Sequence, residues 1–334
     1  MVNMQRTRLG EQLPLKTPFS LHIFPSFYCN FKCSYCLHSL SEEQLKRMNF
    51  SRQLMSIETY KKAIDDLSRF DDRLKAIIFA GHGEPLIHPQ IAEMVRYAKE
   101  KDAAQRVEIV TNGSLLTNEL SDKLISAGLD RLRVSLQGIT SAKYKEISAV
   151  DIDINKLVSQ LEYFCAKKRD TEVYVKIMDI SMDSTEDFDK FKDMFKNACD
   201  ISAVEYAIPF VDEVDYSQFG ELSKKCKQGN SGKSNICSMP FYMMVLYPDG
   251  TVAPCCSTTL PIRYMNVKAS SLKEIWDSRQ HSLFLLKQLG GADMIGVCKD
   301  CSVPEFGLQS GDYLDGYKDM LIEKYKEEME NNER

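Results

Sequence analysis

The segment "FPSFYCNFKCSYCLHSL", residues 24–40, holds Cys29, Cys33 and Cys36 in a C-x3-C-x2-C spacing. Three thiols fit neither of the ordinary uses of cysteine. A disulfide takes two, and a structural zinc ion usually takes four protein ligands. Three thiolates suit a metal centre that keeps one coordination position open for another group. On the residues alone, a zinc site completed by His22 or His38 stays open as the alternative.

A second set lies near the C-terminal end. Cys237 is followed by twelve residues, Gly250, four residues and Cys255, and later by Cys298-x2-Cys301. Four thiols complete a closed metal site, and zinc and a four-iron cluster both accept such a set. Cys165 and Cys199 fall in helix-like sequence and read as small buried apolar residues.

The rest of the chain limits what these thiols can be. It has 334 residues and a net charge of −5, with 43 % hydrophobic and 27 % charged residues. Those values predict a soluble globular protein with one large domain and a smaller one. The acidic balance argues against a nucleic-acid partner. No apolar run reaches the length that a membrane helix needs. The start, "MVNMQRTRLGEQLPLK", lacks the apolar stretch of a secretory signal. A cytoplasmic location is expected, where thiols stay reduced, so the eleven cysteines read as ligands or catalysts before disulfides.

Short apolar runs alternate with amphipathic stretches. Strands are predicted at 19–26, 74–81, 106–113, 129–138, 172–180 and 202–210, and helices at 56–70, 89–101, 117–128, 155–168 and 184–198. Six such units predict an α/β fold with a parallel sheet covered by helices. Functional loops then lie at the C-terminal ends of the strands, which is where the first cysteine cluster falls. Residues 1–18 read as an extended arm, 19–215 as the α/β domain and 216–236 as a linker. Residues 237–310 read as a hairpin with an Asp-Gly turn plus a helix, and 311–334 as a closing helix.

The cluster resembles the signature of the radical S-adenosylmethionine (radical SAM) superfamily, with Tyr35 just before the third cysteine. The resemblance implies a partial (β/α)6 TIM-type barrel, a [4Fe-4S] cluster held by Cys29, Cys33 and Cys36, and SAM bound to the remaining iron. "FAGHGEPLIHP", residues 79–89, resembles the family's Gly-Gly-Glu-Pro motif, with His82 at a position often taken by glycine. By that resemblance Gly81, His82, Gly83 and Glu84 bind SAM, together with Tyr35, Asn112 in "VTNG" and Ser135 in "RVSLQG". The C-terminal cysteines resemble the family's SPASM extension in its shorter twitch form. This implies a second [4Fe-4S] cluster on Cys237, Cys255, Cys298 and Cys301, with Cys256 as an alternative to Cys255. Cys226 and Cys256 are candidates for a thiol that returns a hydrogen atom to a substrate radical.

The implied activity is reductive cleavage of SAM to a 5′-deoxyadenosyl radical that abstracts hydrogen from a C–H bond. The cysteine layout resembles that of 2-deoxy-scyllo-inosamine dehydrogenase. Dehydrogenation or epimerisation of a small hydroxylated substrate, such as a sugar or cyclitol, is therefore expected, with flavodoxin or ferredoxin as electron donor. Modification of a ribosomal peptide is the alternative. It is disfavoured by the 28 residues before Cys29, which are few for a peptide-recognition domain. An iron–sulfur scaffold or redox sensor is a third reading, against which the SAM-binding loop argues.

Overall fold

The computed structural model describes residues 7–219, 234–306 and 308–332. Six parallel strands follow the chain: β1 (Ser20–Ile23), β2 (Ala76–Phe79), β3 (Val107–Thr111), β4 (Arg131–Leu136), β5 (Glu172–Met178) and β6 (Ile201–Glu205). Two more, β7 (Met243–Leu246) and β8 (Val252–Ala253), complete one sheet of order β6-β5-β4-β3-β2-β1-β7-β8. Consecutive strands as neighbours are what repeated β-α crossovers of one hand produce. The result is the expected partial barrel.

Side-chain caps set where the crossover helices begin. Ser56 accepts from the Thr59 amide at the start of Ile57–Asp66, Thr117 from Leu120 before Asn118–Ser126, and Asp153 from Asn155 and Lys156 before Ile154–Lys167. Each cap satisfies amides that the first turn leaves without partners. The helix Ser141–Ser148, not predicted from the sequence, is capped in the same way by Thr140.

The strands divide their residues between two faces. Leu132, Val134 and Leu136 of β4 and Val173, Val175 and Ile177 of β5 are buried on the helix side. Arg131, Arg133 and Ser135, and Tyr174 and Lys176, alternate with them on the inner side, in rows set by the pairings Arg133↔Tyr174 and Ser135↔Lys176. There Arg133 lies 3.8 Å from Glu108 and 3.9 Å from Glu205, and Lys176 lies 2.5 Å from Glu205. The inner face is thus a polar floor beneath the strand ends.

Two expectations change. The N-terminal segment is not an extended arm. Leu9–Gln12 form a helical turn, Leu9 and Leu13 are buried, and the Trp276 indole donates to the Leu15 carbonyl at 2.9 Å. The C-terminal hairpin does form, as β7 and β8, but β7 pairs in parallel with β1 through Ser20↔Met243 to Ile23↔Leu246. It therefore extends the barrel sheet past its first strand. The expected linker lies largely outside the described residues, and Cys226 with it. No helix among the described residues is long and apolar enough to cross a membrane.

Candidate active site and metal centres

The cysteine loop leaves β1 and is held by backbone and side-chain contacts of its own. The Lys32 and Ser34 amides donate to the carbonyls of Ser148 and Ile147, at 3.0 and 2.8 Å. Phe31 packs edge-on against Tyr144 of the same helix. Asn30 donates to Ser114 and accepts from Asn112, at 2.8 and 2.9 Å, which ties the loop to the end of β3. The loop is thereby shaped without any ligand.

Cys33 is buried, and Cys29 and Cys36 are half-buried. Burial pushes the Cys29 thiol up to about 12, with the neighbouring Cys36 adding to the shift. Burial, then Cys36 and Cys29, raises Cys33 as well. Three crowded thiols away from water resist ionisation unless a cation accompanies them, and metal binding to thiolates supplies one. The donor set therefore fits an iron–sulfur cluster. The His38 Nε2 sits 2.7 Å from the His82 carbonyl, with its Nδ1 left for other contacts, and His22 lies within β1 rather than on the loop. Among the described residues, no three His, Cys, Asp or Glu groups converge on one ion.

The loop after β2 packs directly on the cysteine loop. Gly81 has φ +112°, and a Cβ there would lie 2.2 Å from the Phe24 ring. At Gly83 a Cβ would lie 2.2 Å from the Ser26 carbonyl oxygen. The Glu84 amide donates to the Tyr28 carbonyl at 2.8 Å. The sequence reading had the glycines approach a ligand. The close approach seen is to the chain's own cysteine loop. Gly83→Ala, which forces backbone overlap costing roughly 1–3 kcal/mol, is expected to displace this loop and weaken SAM binding about ten- to hundredfold. Equilibrium binding of SAM to the reconstituted protein measures it, and an unchanged affinity would show that the loop's position is irrelevant to SAM.

Glu84 is buried, and its carboxylate is fully engaged within the protein. It accepts from the Thr111 hydroxyl at 2.5 Å and from the amides of Asn112 and Leu86 at 2.8 and 2.9 Å. Burial raises its pKa against those three bonds. Glu84 thus locks the end of β3 to the loop after β2. Asn112 is likewise occupied by Asn30 and Ser114. Tyr35 donates to Gln137 Oε1 at 2.5 Å, and its carbonyl accepts from Tyr216 at 2.8 Å. Ser135 stands on the inner face, in register with Lys176. The contacts of Gln137, Asn30 and Tyr216 were not anticipated. Only Gln137, just past the end of β4 in the segment that carries Ser135, had a signal in the sequence.

The second centre draws on three separate segments. Cys237, Cys255, Cys256, Cys298 and Cys301 line one apolar cavity with Met239 and Val297. Burial pushes Cys237 up to about 12 and Cys298 and Cys256 to about 11, and the charges of neighbouring cysteines add to each shift. The segment before Cys237 is fixed by Asp315, whose carboxylate accepts from Ser234 at 2.5 Å and from the Asn235 amide at 2.9 Å. Thiols lining one cavity form a donor set that a [4Fe-4S] cluster accepts. Cys165 and Cys199 lie apart, packed against the main core.

A model of the radical SAM superfamily matches residues 23–195, and a model of the SPASM iron-sulfur cluster-binding domain matches residues 237–302. The chain is 39% identical over 123 residues to a GTP 3′,8-cyclase of Chlorobaculum tepidum, a match covering 37% of this chain and 34% of that protein. It is 24% identical over 343 residues to an AdoMet-dependent heme synthase of Methanosarcina barkeri, covering 86% of this chain and 91% of that protein. The cyclase match thus spans about a third of that relative's length. Among solved structures, Streptococcus suis SuiB bound to precursor peptide SuiA superposes with TM-score 0.62 at 17% identity, over 91% of this chain and 76% of that one. BtrN in complex with AdoMet and 2-DOIA superposes with TM-score 0.54 at 18% identity, over 85% and 92%. At these identities the structural likeness speaks for the fold alone.

Proposed function

The chain belongs to the radical SAM superfamily, with SAM and two [4Fe-4S] clusters as its cofactors, and from that premise we propose that it oxidises a small hydroxylated molecule. The observation that carries the proposal is a thiol triad on the loop after β1 and a separate set of five thiols lining one apolar cavity in the same fold. When bound, the first cluster supplies the electron that splits SAM into methionine and a 5′-deoxyadenosyl radical.

The residues then have these roles. Cys29, Cys33 and Cys36 hold the first cluster. The backbone of Gly81 to Glu84 presents the SAM amino-group site, and Glu84 keeps that backbone against the end of β3. Tyr35, Asn112 and Ser135 stand around the same strand ends. Cys237, Cys255, Cys298 and Cys301 hold the auxiliary cluster, with Cys256 beside them as the alternative to Cys255. A flavodoxin or ferredoxin in the cytoplasm is the proposed electron source. The substrate is a sugar- or cyclitol-sized molecule, and loss of two hydrogens from a carbinol is the proposed reaction.

Isotope flow tests this against its neighbours. In deuterated buffer the product is expected to be two hydrogens lighter than the substrate, with no solvent deuterium on the reacting carbon. An epimerase would instead return hydrogen from an exchangeable thiol. Deuterium at an inverted carbon, lost on Cys226→Ala or Cys256→Ala, would overturn the dehydrogenation. Turnover of a precursor peptide with no turnover of any polyol would favour peptide modification.

A further inference from the structure

His82 lies at the bottom of a cleft that the cysteine centres do not use. The cleft runs between residues 48–53 and the turn that carries Thr258 and Arg263. The His82 ring is only 8 % exposed, and its Nε2 has no hydrogen-bond partner among the described residues. Its surroundings are aromatic, with Phe24, Tyr247 and Phe27 at ring separations of 5.0, 6.2 and 6.1 Å. A buried polar atom left without a partner is destabilising, so the protein holds this nitrogen in place against a penalty.

The chemistry of that nitrogen follows from its neighbours. Burial pushes the imidazole down to about 4, so the ring is neutral near pH 7, and a backbone hydrogen bond with Ser257 opposes the shift. In the tautomer with the proton on Nδ1, the Nε2 lone pair can accept from a hydroxyl.

The walls point to the same kind of ligand. Phe27 and Phe50 form a stacked pair at 4.8 Å, which offers flat apolar faces to a ring's C–H groups. Asn49, Gln53 and Thr258 supply amides and a hydroxyl, which both donate and accept. At the mouth, the exposed Arg263 lies over Tyr247 at 5.9 Å, and Asp249 lines the same cleft with no ion pair between the two among the described residues. We propose that this cleft is the substrate site and takes a hydroxylated six-membered ring, with His82 Nε2 accepting from one ring hydroxyl and Arg263 facing an anionic substituent. The proposal rests on the function given above and adds the recognition elements. It also places His82 with the substrate rather than with SAM, and between the cysteine centres. Its carbonyl meets His38, two residues past Cys36, and its ring meets Ser257, two past Cys255.

Saturation-transfer NMR on the SAM-loaded holoenzyme, with myo-inositol, D-glucose and D-glucose 6-phosphate as probes, tests it. Saturation is expected to reach at least one ring. His82→Phe, which removes the acceptor, is expected to weaken binding about tenfold, and His82→Gln, which keeps one, is expected to weaken it less. Arg263 is exposed, so Arg263→Ala should fold normally. It is expected to weaken glucose 6-phosphate about tenfold relative to its effect on myo-inositol. Absence of binding by all three probes, or equal binding by wild type and His82→Phe, overturns the cleft. 5′-Deoxyadenosine released by wild type in the same samples reads the family chemistry separately. Its presence without probe binding rejects only the cleft, and its absence rejects the proposed function as well.

Discussion

Alanine at Cys29, Cys33 and Cys36 together is expected to remove 5′-deoxyadenosine formation altogether. The radical route has no partial form, because SAM cleavage needs an electron that only the first cluster delivers. Enzymic accelerations of about a millionfold and more vanish with such a group, so product should fall below detection. Among the described residues no set of three His, Cys, Asp or Glu groups is placed to take over a metal ion. The loop should also keep its shape. Most of its anchors, the amides of Lys32 and Ser34, the Phe31 ring and the Asn30 side chain, are not thiols, and the variant gives up only the Cys29 sulfur that accepts from the Phe31 amide at 3.4 Å. Loss of activity without loss of fold is therefore the expected pattern. The measurement is anaerobic reconstitution, reduction and chromatography of 5′-deoxyadenosine, with circular dichroism as the control on folding. Product from a folded triple variant would place the active cluster elsewhere.

Much of this was legible in the sequence, for identifiable reasons. Strands β1 to β3 are short, mostly apolar runs and β4 and β5 alternate apolar with polar residues, both patterns that a strand carries plainly in sequence. The cysteine spacing is local, so it survives without knowledge of the fold. What escaped was non-local or weakly patterned. The pairing of Ser20 with Met243 joins residues more than two hundred positions apart, and nothing in either strand names its partner. Leu9 and Leu13 are two apolar residues in a polar stretch, and only the contacts with Trp276 and Lys324 reveal that the segment docks. The helix Ser141–Ser148 has a weak apolar face, yet it supplies the carbonyls that hold the cysteine loop. The resemblance assigns the backbone of Gly81 to Glu84 to SAM, and that the Glu84 side chain turns to Thr111 and Asn112 is visible only from the position of β3 beside β2.

The second large effect is expected at the auxiliary centre. The wild-type protein should hold about eight irons, four for each [4Fe-4S] cluster, and Cys298→Ala/Cys301→Ala should hold about four. The two residues supply half the proposed ligand set from one short turn, in which the Cys301 amide donates to the Cys298 carbonyl at 3.3 Å. Cys256 cannot stand in for both, because it follows Cys255 directly and comes to the cavity from the hairpin side. Three chain segments converge on that cavity, so the cluster also cross-links them, and its loss removes a constraint that the apolar contacts of Val303 and Leu308 alone must then replace. A lower melting temperature should accompany the halved iron. Substrate oxidation should stop as well, since the substrate radical would lose its nearby electron acceptor. Iron analysis with Mössbauer spectroscopy on wild type and variant reads the first effect, and calorimetry the second. Four irons and one zinc in the wild type would make the centre structural. The electron taken from the substrate would then have to leave by another route, and the case for dehydrogenation would lose its main support.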